Sequence, residues 1–126
     1  MKKIFYASSA MLFLTLSYGG DIDEGKILFE NKCTACHTAN RPATLEAMNA
    51  LIAPPMQGVM RHVNMAFGYD KKAAITFIKD YTLNPSKEKA LCMPQQLDRF
   101  GLMPSQKGSV TTEELDKIAN YLTIAY

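Results

Sequence analysis

The chain has 126 residues, 48% of them hydrophobic and 21% charged, with three Cys, eight Met and no Trp. That is room for one domain, with or without a targeting segment, and it excludes a two-domain enzyme, a disordered tail and a multi-span membrane protein. A formal net charge of +2 is too small to point to a nucleic-acid partner.

Met1-Lys2-Lys3 is followed by an uncharged, mostly apolar run from Ile4 to Tyr18. A short basic start and an apolar stretch below the ~20 residues of a spanning helix predict a secretory signal. Small residues at Ser17 and Gly19 suit a cut before Gly20, so residues 1–19 read as a signal peptide and 20–126 as the working domain. The expected location is the bacterial periplasm, with membrane attachment only if the segment stays uncleaved. Lys2 and Lys3 are the only charges before Asp21, so the working domain has equal numbers of basic and acidic side chains. Export also permits disulfides. Three cysteines cannot all pair, so at least one thiol has another task.

A first helix is expected from Asp21 or Asp23, with Gly25, Phe29 and Cys33 on one face. A glycine inside a helix costs about 1 kcal/mol against alanine, which points to a close backbone approach at Gly25. The helix runs into Cys33-Thr34-Ala35-Cys36-His37. This C-x-x-C-H pattern is that of covalent haem c attachment. Two thiols at this spacing can each add to a vinyl group on one porphyrin edge, and the following His37 then supplies an imidazole nitrogen to the iron. A thioredoxin-like disulfide would need a βαβ context, and a zinc site would need a second ligand pair; neither is visible.

A polar loop with Asn40-Arg41-Pro42 comes next, then a short helix over 44–52 with an apolar stripe of Leu45, Met48, Leu51 and Ile52, ended by Ala53-Pro54-Pro55. Met56 to Val63 forms another turn or short helix, and Gly68 marks a break. Asp70 reads as the N-cap of a helix from Lys71 to Tyr81, with Ala74, Ile75, Phe77, Ile78 and Tyr81 on its apolar face. Asn84-Pro85 breaks that helix, and Ser86 to Leu91 is expected to start another, ending near Cys92-Met93. A loop over 100–105 carries Met103-Pro104. The last helix opens on Thr111-Thr112-Glu113-Glu114, a T-x-x-E capping box, and buries Leu115, Ile118, Ala119, Leu122 and Tyr121. No segment alternates with period two between turn signals, so the fold class is all-α.

A low-spin haem needs a sixth ligand, and methionine thioether is soft and suits Fe(II). The candidates are Met48, Met56, Met60, Met65, Met93 and Met103, with His62 as a nitrogen alternative. Met93 and Met103 each precede proline, which biases them toward extended backbone and presents the side chain across a pocket. Met103 is favoured because its loop leads directly into the last helix; Met93 is the runner-up. Cys92 reads as a small, buried hydrophobe. About a hundred residues in short helices bury a modest core, so the apo chain is expected to be poorly folded.

Taken together, Gly25-x3-Phe29-x3-Cys33-x2-Cys36-His37, Met103-Pro104 and a capped final helix with Tyr121-Leu122 resemble the class I monohaem cytochromes c of the small bacterial periplasmic kind. The resemblance implies a cytochrome c-like fold with crossed N- and C-terminal helices, Gly25 and Phe29 near Tyr121, and His37 and Met103 as axial ligands. It also implies that a proline carbonyl accepts the proximal imidazole N–H, with Pro54 or Pro55 as candidates and Pro42 behind them. The function expected is one-electron transfer, not catalysis, between redox partners such as an oxidase, a reductase or another cytochrome. The alternative is a haem c sensor, ligand-binding or enzymatic domain in which the sixth ligand is displaceable.

Overall fold

A computed structural model describes residues 18–126; the expected signal peptide falls almost wholly outside them. Six helices follow in order: α1 (Tyr18–Lys32), α2 (Leu45–Asn49), α3 (Met56–Ala66), α4 (Lys71–Leu83), α5 (Pro94–Phe100) and α6 (Thr112–Ala125). No strand occurs among the described residues beyond an isolated bridge between Lys107 and Val110. The all-α expectation is met.

The two outer helices, α1 and α6, pack on each other, and α4 packs on α6. Their contact explains the glycine in α1. A Cβ at Gly25 would fall on the Lys117 carbonyl oxygen and come within 2.9 Å of Tyr121 Cβ. One turn on, the rings of Phe29 and Tyr121 lie 5.9 Å apart. Phe29 joins Met56, Met60, Val63, Ala74, Ile78, Ile118, Ala119 and Leu122 in one buried cluster. Lys117 Nζ reaches Glu24 at 2.7 Å and Lys32 Nζ reaches Glu114 at 3.2 Å, so the middle and the C-terminal end of α1 are also tied to α6 by ion pairs.

Local signals set the helix starts. Asp70 Oδ1 accepts from Ala73 N at 3.1 Å and Thr44 Oγ1 accepts from Ala47 N at 3.2 Å. The capping box of α6 closes in both directions, with Glu114 N to Thr111 Oγ1 at 3.1 Å and Thr111 N to Glu114 Oε2 at 2.9 Å. These bonds, first from the Thr111 N–H and then from Lys32, hold the Glu114 carboxyl below its ordinary range. A lowered folded value means that the contribution is complete above the ordinary glutamate range and is lost as pH falls through the folded one. We expect Thr111→Ala to cost about 1 kcal/mol of unfolding free energy in urea titrations at neutral pH.

Two expectations need correction. The stretch after Pro85 is a single turn, with Ala90 N on Ser86 O at 3.1 Å, and not a helix over 86–91. Lys89 turns back to Asp80 at 2.7 Å and to the Asn84 carbonyl at 3.2 Å, anchoring the turn to the end of α4. The helix begins later, at Pro94, with Met93 as its N-cap (φ −63°, ψ 150°). Proline lacks only an N–H that the first helical turn leaves unused, so Met93-Pro94 starts a helix here and ends none. The second correction concerns the stripe over 44–52. Leu45 and Ile52 are 77% and 65% exposed, and α2 buries no residue.

Candidate functional site

α1 ends at the C-x-x-C-H sequence, which continues as a turn: Cys33 N bonds Phe29 O at 2.9 Å, and Cys36 N and His37 N both bond Cys33 O, at 3.2 and 2.9 Å. The buried Phe29 thus fixes where the motif emerges. The next residues are pinned to the start of α3 through Met56 N to Thr38 O at 2.7 Å and Gln57 N to Ala39 O at 2.9 Å.

His37 Nδ1 lies 2.8 Å from the Pro54 carbonyl oxygen. A carbonyl can only accept, so Nδ1 carries the proton and Nε2 keeps a free lone pair. The Pro55 carbonyl instead accepts Gly58 N at 3.0 Å and Val59 N at 3.1 Å, as the first turn of α3 requires. Of the two prolines, only Pro54 reaches the imidazole.

His37 faces a cavity of about 1530 Å³, well beyond the roughly 300–1,000 Å³ of ordinary ligand pockets. The cavity brings together Cys33, Cys36, His37, Pro54, Pro55, Met93 and Met103. Cys92 and His62, which the sequence left without a site, also line it, as do Met48, Leu51 and Ile52 of the unburied stripe. Met56 and Met60 line it too, but both are committed to the protein core. Met65 does not line it and is 64% exposed. Met48, Met93 and Met103 are the remaining thioethers in the wall.

The electrostatics are one-sided. Lys32 and all three arginines of the chain (Arg41, Arg61 and Arg99) line the cavity, and among the described residues no Asp or Glu does. Burial pushes the Cys33 thiol up to about 11, against the lowering effect of Lys32. A redox-active C-x-x-C thiol has the opposite shift. Burial, and secondarily Cys92, also raises the Tyr81 phenol in the same wall. Sequence reasoning missed Tyr81 and Arg99 as cavity residues. Tyr81 sat on a face that α4 was expected to bury against protein, and Arg99 lies on α5, over a stretch to which the sequence assigned no element.

These residues fit haem c: two thiols beside an imidazole with one nitrogen fixed, thioethers for a soft metal, apolar walls wide enough for a porphyrin, and cations to meet its carboxylates. The family comparison agrees. The chain belongs to the cytochrome c family, whose pattern matches residues 22–124, and this makes covalently bound haem c its cofactor. The family works by haem-based electron transfer to redox partner proteins. A protein of Aquifex aeolicus (strain VF5), described only as an uncharacterized protein, is 32% identical over 111 residues, which cover 80% of this chain and 72% of that one. No solved structure matches the chain. No helix among the described residues is long and apolar enough to cross a membrane.

Proposed function

We propose that the protein is a periplasmic one-electron carrier whose haem c is held by thioethers to Cys33 and Cys36, with His37 and Met103 as axial ligands. The observation that carries this reading is the imidazole of His37, fixed by the Pro54 carbonyl in the wall of the large apolar cavity. When bound, the haem supplies a single iron centre that accepts and releases one electron. The chain contributes position and exclusion of water. The Pro54 bond fixes the ring plane and tautomer of His37 and raises its donor strength. Met103, partly buried and next to Pro104, offers a thioether that favours the reduced metal. With His37 and Met103 both fixed to the fold, a change of oxidation state at a bound haem would need little rearrangement and carry a low reorganisation cost.

No Asp or Glu among the described residues lines the cavity. Ile52, Met93 and Leu102 are exposed where they line it. Apolar edges of this kind suit brief docking with an oxidase, a reductase or another cytochrome. Residues 1–19 are proposed to direct export and then be removed.

The visible spectrum tests the ligand set. The ferric protein is expected to show a weak methionine-to-iron charge-transfer band, and the ferrous protein to leave carbon monoxide unbound. Met103→Ala should lose the band and bind carbon monoxide promptly. Prompt binding by the unaltered protein would move it to the sensor or enzyme class.

A further inference from the structure

We infer that Arg99 is the positioning residue that keeps Met103 at the cavity. The inference rests on the axial role proposed above for Met103.

Met103 hangs between two anchors. Beyond it, Ser105 Oγ donates to the Leu83 carbonyl at 2.6 Å and Gln106 N to the Thr82 carbonyl at 3.0 Å, which fixes that side to the end of α4. Before it lies α5, which buries no residue. Gly101, at φ 73°, turns the chain out of α5 toward Met103. The polar link from α5 to another segment is Arg99, whose Nη2 donates to the Met48 carbonyl of α2. Its guanidinium also lies over the Phe100 ring, 4.7 Å from the centroid. Among the described residues Arg99 makes no ion pair, although Asp98 is its neighbour.

Arg99 therefore links two walls of the cavity, the helix leading to Met103 and the helix that follows the His37 loop. Arginine suits this because a planar guanidinium can stack on an aromatic ring while its edge donates to a carbonyl; a lysine ammonium keeps the charge and loses the stacking. A donor of this kind is worth enough that its loss should free α5 to swing and let Met103 leave the iron more often.

The test is capture of imidazole by the ferric, haem-loaded protein and of carbon monoxide by the ferrous one, for the parent, Arg99→Ala, Arg99→Lys and Met103→Ala. Arg99→Ala should capture both on the order of tenfold faster, with an unchanged far-ultraviolet circular dichroism spectrum, and Arg99→Lys should fall between. In a Met103→Ala background, capture is already fast and Arg99→Ala should add nothing. Parent-like capture by Arg99→Ala, or an acceleration that persists without Met103, would overturn the anchor. Parent-like capture by Arg99→Lys would keep the anchor and assign it to the hydrogen bond without the stacking, since an ammonium can donate to the same carbonyl. If Met103→Ala itself captures like the parent, the axial assignment has failed and takes this inference with it.

Discussion

Cys33→Ala/Cys36→Ala, expressed in a host that matures c-type cytochromes, is expected to carry no covalent haem: its band on a denaturing gel should stain for protein and not for haem. Each single substitution leaves one thiol and should retain a fraction of the haem through one thioether. The effect should extend to the fold. The walls of a cavity of about 1530 Å³ include Leu51, Ile52, Leu97 and Phe100, none of which belongs to the buried core cluster. Neither α2 nor α5 buries a residue of its own. Their order depends on what fills the space between them, so the double variant should lose tertiary structure and much of its cooperative thermal transition. Full haem staining in the double variant would show that the pentapeptide is not the attachment site.

Gly25→Val is expected to be the most damaging single change outside the cavity. The Lys117 carbonyl oxygen occupies the place of the added Cβ, and the Lys117 carbonyl carbon and Tyr121 Cβ are each 2.9 Å from it. These are backbone atoms and the root of a side chain, which cannot rotate away, so α1 and α6 must separate. Overpacking of this kind costs about 1–3 kcal/mol, and separating the helices also loosens Phe29, whose full truncation would cost about 3–5 kcal/mol. Even Gly25→Ala should destabilise, although alanine gains about 1 kcal/mol in helix propensity. Gly20, the first residue after the proposed cut and open at its Cβ position, is the control, and Gly20→Ala should cause no loss. Denaturant midpoints on haem-loaded protein decide the matter, and an unchanged midpoint for Gly25→Val would remove close packing as the reason for the glycine.

Features written in neighbouring residues could be read without coordinates. The capping box at Thr111 and Glu114 and the cap at Asp70 need only side chains three positions apart and a helical backbone. The close approach at Gly25 was legible because a helix tolerates glycine poorly without a packing reason. The cysteine and histidine spacing was legible as chemistry. The failures came where distant groups decide. The turn over 86–91 depends on Lys89 folding back to Asp80, a choice that helix propensity does not contain. Met93-Pro94 supports either a loop or a helix start, and only the path of the chain chooses between them. The stripe of Met48, Leu51 and Ile52 has the pattern of a core face, but its surface turns to the cavity and not to another helix. Periodicity reports that a face is apolar, and it cannot tell protein from cofactor as the covering. The gathering of all three arginines at the cavity, against a balanced side-chain charge, is likewise a property of the fold alone.

The contact between α1 and α6 joins residues as far apart as Glu24 and Lys117. A chain made N-terminus first delivers the cysteines long before the helix that locks them in place. Until Ile118, Ala119 and Leu122 arrive, the cluster that buries Phe29 is incomplete and α1 is not yet held by α6. Closing so long a loop is among the slower steps available to a small helical domain. The architecture thus opens a window of time in which a large, rigid group can be fastened to the thiols before the last helix shuts the ends together.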